Sequence, residues 1–150
     1  MIQFTPIGAV GAEVDGIDLN MISDEDLENL KALFAENGLL FFRGQELSPE
    51  AHLDFAKKWG PINVNRFFTP VEGYPSIAEV RKEPHQQYNI GGNWHTDHSY
   101  DQIPALGSML YAKELPKVGG DTLFAGCAAA FDTLSEGMKS TLRSLRAVHS

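Results

Sequence analysis

Cysteine is almost absent. Of 150 residues only Cys127 carries a thiol, so no internal disulfide can staple the fold, and a reducing cytoplasm is the expected compartment. Cys127 sits in the small-residue run Ala125-Gly126-Cys127-Ala128-Ala129-Ala130, where a structural packing role is expected of it. Positive charge is also scarce, with 12 Lys and Arg against 20 Asp and Glu for a formal net charge of -8. No basic run and no interleaving of basic and aromatic residues occurs, which argues against nucleic acid as a partner. There is no apolar run long enough to span a bilayer and no charged-then-apolar leader at the start, so no membrane association is expected. Repeats and low-complexity tracts are missing as well. What is present is 43% hydrophobic content, enough for one globular domain with a real core or for part of a larger one.

The first nineteen residues are short apolar pieces broken by glycine and read as small strands or turns. Ser23 followed by Asp24, Glu25 and Asp26 is a helix start with acids near the positive end of the dipole. Leu27, Leu30, Leu33 and Phe34 then recur at helical spacing until Asn37-Gly38 stops the helix. Leu39-Leu40-Phe41-Phe42 is a continuous apolar run expected to form a strand buried on both faces. Ser48-Pro49-Glu50 opens a second helix, with Leu53, Phe55, Ala56 and Trp59 as its apolar positions before Gly60-Pro61. Beyond Pro61 the pattern predicts short β segments at Ile62–Phe68, Ser76–Val80, Trp94–Tyr100 and Ser108–Ala112, forming an antiparallel sheet as the core. Gly119-Gly120-Asp121 predicts a tight turn into Thr122-Leu123-Phe124, followed by helical segments at Ala128–Leu134 and Ser135–Leu145. The chain stops at Arg146-Ala147-Val148-His149-Ser150 in what reads as a strand start, and is expected to be cut short.

The chemistry concentrates in Gly91-Gly92-Asn93-Trp94-His95-Thr96-Asp97-His98-Ser99-Tyr100. On an extended strand His95 and Asp97 point to one side, and Trp94, Thr96 and His98 to the other. Two residues of rise let an imidazole and a carboxylate converge on one ion at bond lengths of about 2 Å. Two His and one carboxylate with open positions is the ligand set of non-haem Fe(II) enzymes that activate oxygen, and His-x-Asp supplies two of the three. Trp94, Phe41, Phe42 and Trp59 are expected in the core, His98 as a packing residue behind the site, and His52 and His85 at the surface.

Asn93-Trp94-His95-Thr96-Asp97, followed some twenty residues later by Gly119-Gly120-Asp121-Thr122, resembles the taurine dioxygenase (TauD/TfdA) family of Fe(II)/2-oxoglutarate enzymes. The likeness extends to Gly11-Ala12-Glu13-Val14-Asp15-Gly16-Ile17-Asp18-Leu19 and to Leu39-Leu40-Phe41-Phe42-Arg43-Gly44-Gln45, and so covers nearly all of the chain. The resemblance implies an α+β fold with a double-stranded β-helix (jelly roll) core and flanking helices, incomplete in this chain. Residues 1–150 would then be the N-terminal part of a single dioxygenase domain. It also implies Fe(II) as the metal, held by the catalytic residues His95 and Asp97, with O2 and the cosubstrate 2-oxoglutarate, which Thr122 helps to bind. The reaction implied is hydroxylation of a small organic, anionic substrate with release of succinate and carbon dioxide.

The departures from the family pattern bear on activity and on substrate. The third ligand, a distal histidine, and the arginine that pairs with 2-oxoglutarate fall in a C-terminal half that this sequence lacks. His149 follows Gly-Gly-Asp-Thr too soon and has no arginine after it, so it is not assigned as the ligand, and the 150-residue chain alone is expected to be inactive. Where the sulfonate-using members place a histidine and a tyrosine against substrate, this chain has Asn65 and Phe68, which disfavours taurine itself. Asn65, Arg66, Phe68 and Asn93 are the candidate substrate contacts, Arg66 as the partner of an anion. The unpaired sheet edges of an unfinished β-helix favour a homo-oligomer. Two other readings compete. His95-x-Asp97-His98 resembles the second half of the zinc motif of metallo-β-lactamase-type hydrolases, whose first histidine would fall at Asn93. The other is a non-catalytic, truncated jelly-roll binding module.

Overall fold

The computed structural model describes residues 2–65 and 67–148, so Arg66 and His149, both singled out above, lie outside the described residues. The chain divides into two compact units, one made of the residues up to Glu46 together with Ala112–Val148, the other of Leu47–Tyr111.

The first unit is built on a three-stranded sheet. Strands β1 (Gln3–Pro6) and β2 (Ala12–Asp15) form an antiparallel hairpin. Helix α1 (Asp24–Asn37) then carries the chain across to β3 (Leu40–Phe42), which pairs parallel to β2 with Ala12 opposite Leu40 and Val14 opposite Phe42. The sheet is therefore mixed, in the order β1-β2-β3. A hairpin needs only a turn, whereas a parallel pair needs a crossover, and α1 provides it. Alternation along β2 buries Ala12 and Val14 while Asp15 stays exposed, and the every-third-residue leucines of α1, Leu27, Leu30 and Leu33, are buried as the core of this unit.

Both ends of α1 form as their residues dictate. The Ser23 Oγ accepts from the Asp26 amide at 3.1 Å, satisfying a donor that the first turn leaves open. Gly38 adopts a left-handed φ of 72° and donates its amide to the Phe34 carbonyl at 2.7 Å, a conformation that costs glycine no Cβ clash. Gln45 ties down the segment between β2 and α1, its Nε2 donating to the Ile17 carbonyl at 2.8 Å and its Oε1 accepting from the Leu19 amide at 3.0 Å. Two short helices, α3 (Cys127–Asp132) and α4 (Glu136–Ser144), follow near the end of this unit, and Ser135 caps α4 as Ser23 caps α1.

The second unit holds α2 (Pro49–Trp59) and the two-stranded hairpin of β4 (Pro70–Val71) and β5 (Tyr74–Ala78). Ser48 caps α2 by accepting from the Ala51 amide at 3.1 Å, and Pro49 occupies the first turn, where a missing N–H is harmless. Phe55 of α2 is 2% exposed and meets Trp59 edge-on at 6.1 Å. The Tyr74 hydroxyl donates to the Glu50 carboxylate, joining β5 to α2. That bond holds the Glu50 carboxyl below its ordinary value and the Tyr74 phenol above its own.

The two shifts act on opposite flanks of stability. The Glu50 contribution is present above the unfolded carboxyl value and is lost as pH falls through the lower folded one. The Tyr74 contribution is present below the unfolded phenol value and is lost as pH rises through the higher folded one. Tyr74→Phe is expected to shallow both flanks of the stability–pH profile, read as urea midpoints across a pH series. A profile parallel to that of the unsubstituted chain on both flanks would refute the link.

Several sequence expectations need correction. The strands predicted at Ile62–Phe68, Trp94–Tyr100 and Ser108–Ala112, and the one expected after the Gly-Gly turn at Thr122-Leu123-Phe124, are absent among the described residues. The Ser76–Val80 strand begins two residues earlier, as β5. A strand exists only as a member of a ladder, so strand-forming composition without a partner leaves irregular backbone. The larger sheet is accordingly the mixed N-terminal one. β3 is half-buried along its length and is an edge strand rather than one buried on both faces. An apolar run of four residues cannot distinguish these cases. Trp94 is 71% exposed, not core, and the Cys127 thiol is exposed at the start of α3 instead of serving as a packing group. No helix among the described residues is long and apolar enough to cross a membrane.

Candidate metal centre

The His-x-Asp pair lies in the second unit, on irregular backbone between Gly91 and a turn over residues 97–100. The strand expected to align the two side chains is replaced by local hydrogen bonding, yet they do converge. His95 Nε2 and Asp97 Oδ1 stand 3.3 Å apart. The other ring nitrogen, Nδ1, lies 2.7 Å from the carbonyl oxygen of Asn93. A carbonyl can only accept, so Nδ1 carries a proton, and in the neutral ring Nε2 presents its lone pair. Nε2 then faces a carboxylate oxygen that also has only lone pairs to offer. Two acceptors at that distance repel unless a cation or a proton lies between them.

The separation suits a metal. Two donors at bond lengths of about 2.1 Å and a right angle around one ion stand about 3 Å apart, close to the 3.3 Å observed. Both side chains are more than half exposed, so an ion could reach them directly. Among the described residues, no group of three or more His, Cys, Asp and Glu side chains gathers closely enough to hold an ion. The pair therefore offers an ion two donor atoms.

Neighbouring residues set the geometry. Gly91 takes a left-handed φ of 67°, and a Cβ there would come within 3.1 Å of His95 Cε1, so glycine both permits the turn and leaves room for the ring. Asn93, expected as a substrate contact, acts on His95 through its backbone carbonyl. The second carboxylate oxygen of Asp97, Oδ2, accepts from the Ser108 hydroxyl at 2.9 Å. Neither Gly91 nor Ser108 was singled out by sequence reasoning. The positive-φ demand at Gly91 has a signal in the Gly-Gly pair, whereas Ser108 is eleven residues from its partner and has none.

His98 turns away from the pair. It is a non-glycine residue with a positive φ, 55°, and its Nδ1 lies 2.9 Å from Asp101 Oδ2. Its ring lies tilted at 5.7 Å from Tyr100, which in turn meets Phe67 edge-on at 6.0 Å. Asn63, Val64, Asn65, His98, Tyr100 and Asp101 line a cavity of about 110 Å³. Asn65 thus contributes to a pocket, and its Oδ1 also accepts from the Phe67 amide at 2.8 Å, shaping the loop. Phe68, three residues on, is half-buried. Thr122 belongs to the first unit, where it is exposed and follows Gly119 and Gly120, which have φ of 78° and 77°. Both glycines take the left-handed backbone that favours glycine, but the tight turn expected there is not formed: the backbone from Gly119 to Gly126 is irregular, and the bend falls just before, at Lys117 and Val118.

Comparison with known proteins agrees with the motifs. The family model described as taurine catabolism dioxygenase TauD, TfdA family matches residues 3–150. The (S)-phenoxypropionate/alpha-ketoglutarate-dioxygenase of Delftia acidovorans is 33% identical over 159 residues, covering 99% of this chain and 54% of that protein. The alpha-ketoglutarate-dependent 2,4-dichlorophenoxyacetate dioxygenase of Cupriavidus pinatubonensis is 33% identical over 162 residues, covering 96% of this chain and 55% of that one. The crystal structure of a taurine dioxygenase from Burkholderia xenovorans superposes with a TM-score of 0.83 at 30% identity, over 99% of this chain and 53% of that chain. The chain spans about half the length of the curated relatives it matches.

Proposed function

The chain belongs to the TauD/TfdA family of dioxygenases, and from that premise we propose that it is the N-terminal part of a single Fe(II)- and 2-oxoglutarate-dependent dioxygenase domain with a jelly-roll core. In the complete protein this domain hydroxylates a small organic anion and releases succinate and carbon dioxide. The observation that carries this reading is the convergence of His95 Nε2 and Asp97 Oδ1 at 3.3 Å, a spacing that a divalent cation fits. When bound, iron with 2-oxoglutarate and O2 supplies the oxidant for a C–H bond.

The residues of the chain bind and orient. The Asn93 carbonyl orients the His95 ring through Nδ1 so that Nε2 faces Asp97, and Asp97 brings one negative charge, so a divalent ion held by the two keeps net positive charge and attracts a dianionic chelator. Thr122 offers a hydroxyl to a carboxylate of that cosubstrate. Asn65, Phe68 and Asn93 are the substrate-side residues of this proposal, together with Arg66 as the partner of an anionic group. The Delftia and Cupriavidus relatives are named for phenoxypropionate and dichlorophenoxyacetate, both organic anions, and this supports the substrate class. The third metal ligand and the arginine that completes the cosubstrate site are proposed to lie outside residues 1–150, as are strands that would pair with the irregular segments around residues 94–112. Leu106 and Leu110 are each at least 69% exposed, which supports a further layer packing there. A cytoplasmic location goes with this chemistry and with the lone thiol.

Anaerobic titration of Fe(II) and 2-oxoglutarate into the complete protein tests the reading. A weak visible charge-transfer band that needs both components is the expected result. No band, with zinc bound and water-dependent hydrolysis instead, would overturn it in favour of the metallo-hydrolase.

A further inference from the structure

Asp97 presents its two carboxylate oxygens to different partners. Oδ1 faces His95 Nε2 at 3.3 Å, while Oδ2 accepts the Ser108 hydroxyl at 2.9 Å. A carboxylate on a free side chain rotates broadly about its terminal torsion and can offer a cation either oxygen or both. The Ser108 bond removes that freedom. It is a charge-assisted hydrogen bond to an anion, the stronger kind, and it engages the oxygen that points away from the imidazole.

We infer that Ser108 is a positioning residue that holds Asp97 as a one-oxygen metal ligand by engaging Oδ2 and leaving Oδ1 to the ion. The inference rests on the metal-centre reading of His95 and Asp97. It extends that reading to a residue that belongs to neither motif. Ser108 does for the carboxylate what the Asn93 carbonyl does for the imidazole at 2.7 Å: each ligand has its non-coordinating atom occupied, so that the coordinating atom is both oriented and free. Partners of this kind typically change metal affinity by about 10–100-fold when removed. Ser108 is exposed, so its loss should leave the fold intact.

Mn(II) alone is a suitable probe, because its aqueous six-line EPR spectrum loses intensity on binding and reports affinity without turnover. In the complete protein, Ser108→Ala is expected to weaken Mn(II) binding about tenfold with an unchanged thermal midpoint. Ser108→Thr, which keeps the hydroxyl, is expected to restore affinity close to that of the unsubstituted protein. His95→Ala and Asp97→Ala measured alongside separate the two ideas. If both lose Mn(II) while Ser108→Ala binds normally, the Ser108 inference is overturned and the metal centre stands. If Ser108→Thr falls as far as Ser108→Ala, the hydroxyl is not what matters and the inference is again overturned. If His95→Ala and Asp97→Ala bind Mn(II) as the unsubstituted protein does, the metal-centre reading fails and takes this inference with it.

Discussion

Complete protein carrying His95→Ala or Asp97→Ala is expected to release no measurable succinate from 2-oxoglutarate, with its far-UV circular dichroism unchanged. The imidazole of this pair donates Nδ1 to the Asn93 carbonyl and turns Nε2 to the Asp97 carboxylate. Removing either leaves one protein donor from this segment, and a single contact fixes neither the position of an ion nor the orientation of what the ion carries. Both residues are more than half exposed, so truncation leaves no core cavity and the loss should be chemical, not structural. Asp97→Asn sharpens the test, since it keeps the shape and removes the charge. His85→Ala, an exposed histidine in a loop, serves as the control and should retain turnover. Succinate release persisting in either alanine variant would move the centre elsewhere.

The second large effect concerns stability. Leu30 is fully buried, at 0% exposure, midway along α1 between Leu27 and Leu33. Leu30→Ala removes its apolar contacts and leaves a cavity that a helix anchored at both ends by Ser23 and Gly38 cannot easily collapse, a loss of about 2–5 kcal/mol. With a urea slope of about 2 kcal/mol/M, the middle of the usual range, the unfolding midpoint should fall by roughly 1–2.5 M. Val118→Ala is the comparison, because that side chain is 91% exposed and its truncation should stay within about 0.5 kcal/mol. Equal midpoints for the two variants would show that α1 does not form the core of its unit. The size of this effect also bears on function, since β2 and β3 of the same unit carry the family-like segments around Gly11–Leu19 and Leu39–Gln45.

Helices are legible because their determinants are local. Ser23, Ser48 and Ser135 each cap the helix expected after them, and the leucine spacing of α1 marks the face that is buried. Capping and 3.6-residue periodicity act over a few neighbouring residues, so sequence carries them whole. The pairing of His95 with Asp97 is legible for another reason. Residues two apart can converge through more than one backbone path, and the expected strand is one path and the observed bend another. Strands are the weak point. Trp94–Tyr100 and Ser108–Ala112 have strand composition, but a ladder needs a partner at a distance in sequence, and none is found among the described residues.

By itself, then, the sequence determined the helices and their serine caps, the left-handed glycines before Thr122, and the family, because each is written in contiguous residues. Tertiary structure decided which atoms those ligands present. The Asn93 carbonyl orients the His95 ring, Gly91 makes room for it, and Ser108 takes the second oxygen of Asp97 from eleven residues away. It also made β3 an edge strand and turned His98 toward Asp101. These outcomes depend on torsions and on contacts between segments that no local pattern encodes, and hydrogen bonds form only where folding brings donor and acceptor within about 3 Å.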